Sequence, residues 1–535
     1  MYVMRPNKQK EELSDNDNGD FNHGNKDSSN MNSVEGNRKS KKHISILSMK
    51  TEIMYGSAEI SKTIVSRQAE VNRDEFEAEL RAHASTENII ILALVDSFFL
   101  DMTFNFYETS ILKYNISNYL FIASDYRACG ILLSQNINCF VYITTNYTRA
   151  STLFGSYGFA QKMNIRILFI LDALKLGFTV LHTDVDVVFM NNPLYDLSSS
   201  IHGDIACLLD DMQYNAGFIY LRPTELAITV YTEMRSIVSE RTVDDQIALN
   251  EVIPSLIEKH KAYKVRIEML NMTKYQYGRN YFELGHRYFA DRAPCPQCIV
   301  VHNNWIISKE AKRYRFREVL LWSYDDNGYY SNTSTKYLMY SNVPYNLTIN
   351  IDYSNVELDT LKTALYFGHV LNRVVILPRF HLTETKVSTW TEKERPLNNW
   401  IRMSCFDNQF YEKYRENSFL HHPKVPPEIK QDITPPFWIQ TKQSISMLGR
   451  KPTDVTLLTP CDEKKVSTEE IVDWFRGEKS SVLNFHSLYG IFNADMIQTI
   501  AESTVFSRQL LLAFHATDYK QVKHLKKSSC YIDVQ

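Results

Sequence analysis

No run of 18 or more apolar residues occurs anywhere in the 535-residue chain, which excludes a transmembrane helix. No apolar leader opens it either, since Met1–Met4 is followed at once by Arg5 and a polar tract, so neither a signal peptide nor a membrane anchor is expected. Excess charge is also missing. A net charge of −3 gives no basis for nucleic-acid binding or for a polybasic membrane surface. The Gly-rich phosphate loop of kinases and ATPases is absent, and so is the nucleophile elbow of hydrolases. Internal repeats are absent as well. Cys295-Pro296-Gln297-Cys298 has no second cysteine pair to complete a zinc site and reads as a local disulfide or two free thiols.

The hydrophobic content of 44% and aromatic content of 12% support large packed cores, and the length allows two or three domains. Residues 1–80 stand apart. Glu11–Lys42 is rich in Asn, Asp, Ser, Gly and Lys and buries too little apolar surface to offset its ordering entropy, so this tail is expected to be disordered. Eight cysteines and five Asn-x-Ser/Thr sequons, at Asn115, Asn146, Asn271, Asn332 and Asn346, give mild support for a secretory lumen.

From Glu87 to about Trp322, apolar runs of strand length alternate with helical patterns. Ile89–Val95, Tyr119–Ser124, Cys139–Ile143 and Phe178–His182 read as strands, and residues 101–114 and 160–176 as helices. That alternation predicts an α/β fold with a mostly parallel sheet covered on both faces, and ligands of such sheets bind at the carboxyl ends of the strands. Residues 324–342 are rich in Asn, Ser, Tyr and Gly and read as a linker. A second α/β unit is expected over residues 345–535, with a helix at Leu358–Leu371 and a buried strand at Arg373–Pro378.

The most informative stretch is Phe178–Leu194, where an apolar, β-branched run ends in Asp184-Val185-Asp186. On a continuing strand, residues two apart share a face, and two carboxylates side by side repel unless a cation lies between them. Hard oxygen ligands at that spacing suit Mg²⁺ or Mn²⁺, and such an ion suits a diphosphate. Three segments downstream add to this. Tyr214–Tyr220 is a strand with Asn215 and Gly217 at its entry, where backbone could approach a sugar closely. Asp244-Asp245-Gln246 opens a helix. His302-Asn303-Asn304-Trp305, followed by Lys309 and Lys312, places a histidine at a strand end and lysines able to meet phosphate charge. Taken singly, each also suits a turn residue, a satisfied core histidine or a solvated helix charge.

In this order, Val180–Leu194, Asn215–Phe218, Asp245-Gln246 and His302–Trp305 resemble the nucleotide-diphospho-sugar transferase family, which includes plant rhamnogalacturonan xylosyltransferases and extensin arabinosyltransferases. The resemblance covers about residues 87–322. It implies a GT-A-type, Rossmann-like sheet and a metal-dependent, retaining glycosyltransferase that moves a pentose or galactose from a UDP-sugar to a glycan or glycoprotein. It implies Asp184, Asp186 and His302 at a Mn²⁺ or Mg²⁺ ion, and Asp96, Asp184, Gly217, Lys309 and Lys312 at the nucleotide sugar. Asn215, Asp245 and Gln246 would lie where the sugar reacts. Leu92–Asp96 through Asp101 is similar to the family's first strand and nucleotide-binding loop. Family members are usually anchored in the Golgi, so a Golgi lumen is expected, although no anchor is visible here. A non-catalytic partner protein on the same fold is the alternative. Ala364–Phe380 resembles a segment of fucosyltransferase-like folds, and the C-terminal third is expected to be accessory.

Overall fold

A computed structural model describes residues 73–142, 157–342, 353–381, 394–442, 444–445, 453–461 and 466–491. The described residues fall in one compact unit. The helices that position the site are α1 (Arg73–His83), α2 (Leu100–Phe106), α3 (Tyr126–Ser134), α4 (Tyr157–Lys175), α5 (Pro193–Ser200), α6 (Glu225–Glu240), α7 (Asp245–Lys259) and α8 (Lys309–Glu318). The strands of this part are β1 (Ile89–Val95), β2 (Tyr119–Ala123), β3 (Cys139–Val141), β4 (Thr179–Thr183), β5 (Val187–Phe189), β6 (Ile205–Asp210), β7 (Gln213–Leu221), β8 (Ile267–Met269), β9 (Tyr275–Tyr277) and β10 (Val300–His302).

Seven strands form one sheet in the order β3-β2-β1-β4-β7-β6-β8. The first four are mutually parallel, and β7 runs antiparallel to both β4 and β6. The central strand β1 shows why both faces must be covered. Ile91, Ala93 and Val95 enter one core, while Ile90, Leu92 and Leu94 enter the other, as period-2 alternation requires. The α/β class, the mostly parallel sheet and its flanking helices are as the sequence predicts. A small sheet, β5-β10-β9, lies beside it.

A second sheet follows, built from β11 (Tyr337–Tyr340), β12 (Val374–Ile376), β15 (Tyr414–Arg415), β16 (Phe437–Ile439), β17 (Thr456–Leu458) and β18 (Val482–Ser487), with a short pair β13 (Phe380–His381) and β14 (Glu394–Arg395) apart from it. Its order is β15-β12-β11-β18-β16-β17, and all its pairings are parallel. The expected strand near Val374–Leu377 is therefore present and does not pair into the first sheet.

Three expectations are corrected. Residues 324–342 are not simply a linker: β11 lies between β12 and β18, and Tyr329, Tyr330, Tyr337, Leu338 and Tyr340 are buried. The Asn and Ser residues around this segment mask a four-residue apolar and aromatic strand too short to stand out. The second sheet also does not keep its core to itself. Leu338, Val375 and Leu483 pack on its far side, but Tyr337, Ile376 and Val482 join the same core as Ile91 and Phe121. The tail reading also ends too late. Phe76 and Leu80 on α1 are fully buried, and Phe76 meets the rings of Phe140 and Tyr142. The residues before Arg73 lie outside the described residues.

Disulfides join Cys129 to Cys139 and Cys295 to Cys298, the latter the local bridge that the Cys-x-x-Cys spacing allows. Asn115, Asn271 and Asn332 are exposed, and Asn146 and Asn346 lie outside the described residues. Among the described residues no helix is long and apolar enough to cross a membrane.

Candidate active site

The two acids do not sit on a continuing strand. β4 ends at Thr183, Asp184 leaves the sheet, and Val185-Asp186 turns the chain into β5. Alternation along a strand is therefore not what brings them together. The Asp184 backbone N–H donates to the Gly217 carbonyl at 2.7 Å, which ties the turn to β7. Asp186 is brought to His302 by sheet pairing: Val187, the residue after Asp186, sits opposite His302 in the β5–β10 ladder, and the Asn303 N–H donates to the Asp186 carbonyl at 2.8 Å. About 115 residues of sequence separation are closed by one antiparallel pair.

His302 Nε2 then lies 3.4 Å from Asp186 Oδ1 and 3.8 Å from Asp184 Oδ2. One ligand atom from each of the three residues fits within a 4.8 Å span. The donor set, two hard carboxylates and an imidazole, suits a divalent first-row cation. Gly217 keeps the space open: a Cβ there would stand 2.3 Å from Asp184 Oδ2 and 2.8 Å from His302 Cε1. On both grounds these residues fit a metal ion.

Electrostatics separate the two acids. Asp186 and His302 are buried, while the Asp184 side chain is 31% exposed. Burial alone would raise the Asp186 carboxyl, but the Lys312 ammonium at 2.6 Å and His302 outweigh it and hold that carboxyl well below its ordinary range. Burial lowers His302, but Asp186 and then Asp184 outweigh it and raise the imidazole. Lys312 is thus placed at the acids. Lys309, one turn earlier on α8, is not. Its ammonium donates to the Phe98 carbonyl at 2.8 Å and lies 3.5 Å from Asp101, against the loop that follows β1.

Asp96 ends that strand and caps the loop, its Oδ1 accepting the N–H groups of Phe98 and Phe99 at 3.1 and 2.9 Å. Its other oxygen holds Lys162 of α4. Burial, and then the Arg166 guanidinium, push the Lys162 ammonium down to about 8.

One turn further along α4, Arg166 is the residue that sequence reasoning missed most plainly. It donates to Asp184 Oδ1 at 2.5 Å and to Asp245 Oδ1 at 2.8 Å, so one buried cation joins the β4 turn to the start of α7. Burial opposes its charge, but Asp184 and Asp245 outweigh burial and hold the guanidinium above its ordinary range. Asp245 itself is 3% exposed. Burial pushes its carboxyl up to about 6, with Arg166 pulling the other way. The available signal was a pair of cations four apart, Lys162 and Arg166, in a helix rich in apolar residues. His182 was also missed. Its Nδ1 pairs with the Leu92 carbonyl at 3.0 Å, and burial, helped by Arg166, lowers it to about 3, so it stays neutral.

Asn215 and Gly217 line the same corner. Asn215 Oδ1 accepts the Gly217 N–H at 2.9 Å, and its Nδ2 donates to Asp210 Oδ2 at 3.0 Å. Gln246 is engaged elsewhere. Its Oε1 accepts the Ala216 N–H at 2.7 Å and its Nε2 donates to the Tyr214 carbonyl at 2.8 Å. Both amide groups thus grip the backbone of β7, and in this arrangement Gln246 positions the strand carrying Asn215 and Gly217. Asp244 caps α7 through the Ile247 N–H, which fixes Asp245 on the first turn.

Residues 114–316 match the family model described as nucleotide-diphospho-sugar transferase. Among the chain's relatives is the UDP-galactose:fucoside alpha-3-galactosyltransferase of Dictyostelium discoideum, 28% identical over 34% of this chain and 31% of the relative. A UDP-D-xylose:L-fucose alpha-1,3-D-xylosyltransferase of Arabidopsis thaliana is 25% identical over 47% of this chain and 73% of the relative. The chain thus spans less than a third of the length of the Dictyostelium protein. A solved structure of the glycosyltransferase GlyE of Streptococcus pneumoniae aligns with a TM-score of 0.30 at 12% identity, covering 75% of this chain and 96% of that one, a likeness that carries no further argument.

Proposed function

We propose that the protein is a metal-dependent, retaining glycosyltransferase that moves a pentose or galactose from a UDP-sugar to a glycan or glycoprotein in the Golgi lumen. One observation carries this reading: Asp184, Asp186 and His302, from two separate strand ends, converge around a space that only glycine at 217 leaves open. Mn²⁺ or Mg²⁺ held there would supply charge neutralisation for a departing diphosphate. Asp186, His302 and Asp184 would hold the ion. Lys312 adds a cation on the same side, and Arg166 fixes the Asp184 carboxylate. Asn215 and Gly217 shape the sugar's side of the pocket, and Asp96 and Lys309 set the loop after β1 against the nucleotide.

In the transfer, the bond from the sugar's anomeric carbon to the phosphate oxygen breaks and its electron pair leaves with UDP. The acceptor hydroxyl oxygen bonds to that carbon and gives up its proton to the leaving phosphate. Asp245 is buried and bound to Arg166, which favours a short-lived oxocarbenium-like state over a covalent sugar–Asp245 adduct. Two relatives whose names specify fucoside or L-fucose acceptors make an α-L-fucoside the first acceptor to offer.

The test is a screen of UDP-galactose, UDP-xylose and UDP-arabinose for UDP release with Mn²⁺ and with chelator. Release from one donor that requires the metal is the expected result. No metal-dependent release from any donor, and no UDP binding, would overturn the reading.

A further inference from the structure

Trp305 is the feature that the donor site does not explain. It follows His302 by three residues, its backbone is in the left-handed region at φ +59°, and it is 49% exposed. A bulky residue pays about 1–2 kcal/mol for that backbone conformation, and an aromatic ring left half in water forgoes burial. Its exposure is not looseness. The indole N–H donates to Asp210, and the Arg279 guanidinium stands over the ring at 5.5 Å. Arg279 is held in turn by Asp211 at 2.8 Å.

Asp210 is the hub. One carboxylate oxygen takes Trp305, and the other takes Asn215 at 3.0 Å and Asn304 at 2.6 Å. Asn215 is 4% exposed and lies on the inner side, whereas Trp305 faces solvent. Asp211 and Met212, the β6–β7 turn, also adopt positive φ, and Met212 is 86% exposed. A rigid aromatic ring, with a carboxylate at its edge and a guanidinium over one face, therefore stands just outside the corner that shapes the donor sugar.

We infer that Trp305, Asp210 and Arg279 form the acceptor-saccharide subsite. A pyranoside would lay its apolar C–H face on the indole face that Arg279 leaves open while its hydroxyls bond Asp210 and Arg279 at the rim. This rests on the glycosyltransferase reading above and names where its second substrate sits. The indole-to-Asp210 bond also links acceptor binding to Asn215, so the platform and the donor corner share one carboxylate.

The experiment uses the full chain with Mn²⁺ and UDP, and methyl α-L-fucopyranoside as the probe, read by saturation-transfer NMR, with UDP affinity read separately by calorimetry. The expected result is that Trp305→Ala weakens fucoside binding about tenfold or more while Trp305→Phe, which keeps a ring, weakens it about threefold or less. UDP affinity should stay within about twofold in both. If wild type binds UDP but not the fucoside, or if Trp305→Ala binds it as wild type does, the subsite is wrong. If Trp305→Ala loses UDP and fucoside alike, Trp305 belongs to the donor side and the assignment also falls. If wild type fails to bind UDP with Mn²⁺, the glycosyltransferase reading fails first, and the inference with it.

Discussion

Helix α8 carries two buried charge clusters, and they differ in a way that separates a site from a brace. Toward the first sheet, Lys312 reaches Asp186 beside His302 and Asp184. Toward the second sheet, Arg313 bridges Asp101 and Asp407, and Arg317 lies against Glu416 at 3.6 Å. Both clusters bury several charges, so buried charge alone does not mark function. The faces of the cations tell them apart. Arg317 lies 3.6 Å from the centroid of Tyr329, Arg415 lies 3.9 Å from the same ring, and Arg313 lies 4.5 Å from Tyr411. Tyrosine rings fill the second cluster. In the first, glycine at 217 keeps room beside Asp184 and His302, and Asp184 stays partly in water.

The sharpest way to break this comparison is to remove one cation that braces each cluster, Arg166 of α4 at Asp184 and Arg317 of α8 at Glu416. Arg166→Met should destabilise the fold by about 3–5 kcal/mol in urea unfolding, because Asp184 and Asp245 would be left facing each other without a cation. It should also weaken Mn²⁺-dependent UDP binding. Arg317→Met should cost about 2–4 kcal/mol through Glu416 and the lost ring contacts, yet leave UDP affinity unchanged. Equal loss of UDP affinity in both variants would erase the distinction.

A smaller effect concerns pH. Burial, and then the Glu416 charge, raise the Glu318 carboxyl from 4.5 to about 8. Between those values the folded state binds more protons than the unfolded chain, so this group's contribution to stability falls as pH rises through that window. Glu318→Gln should therefore stabilise the protein at pH 9 and change it little at pH 4. A melting-temperature series from pH 4 to pH 9 (about 4–8 °C of shift for small domains, less for a chain this large) reads it. An identical pH dependence in the variant would remove Glu318 as the source.

The smallest effect is in cleavage. Tyr337, Leu338 and Tyr340 of β11 are buried, so limited proteolysis should spare residues 337–340. Early cutting there would restore the reading of that segment as a linker and of the C-terminal third as a separate accessory unit.

Much of this was legible in the sequence, for physical reasons. The alternation of apolar strands and helices fixed the fold class, and Asp184, Asp186 and His302 stood out because acids and a histidine at the ends of buried strands need a partner. What failed were statements about direction. Asp184 and Asp186 converge through a turn and the β5–β10 ladder, which no spacing along one strand encodes. Lys309 and Lys312 are three apart, yet α8 sends one to the β1 loop and the other to Asp186. Arg166 was hidden because a cation in an apolar helix does not announce which carboxylates it will meet. Gln246 was read as facing the chemistry, but its amide has exact hydrogen-bond matches on β7. Tyr337–Tyr340 was too short a strand to show beside its polar neighbours.

The central claim is that Asp184, Asp186 and His302 hold one ion that binds the donor diphosphate. Calorimetry of UDP binding with Mn²⁺ tests it on wild type, Asp186→Ala and His302→Ala. Mn²⁺-dependent binding in wild type and a loss of about a hundredfold or more in each variant are expected, with both still folded. UDP affinity that ignores Mn²⁺, or that survives both substitutions, would contradict it.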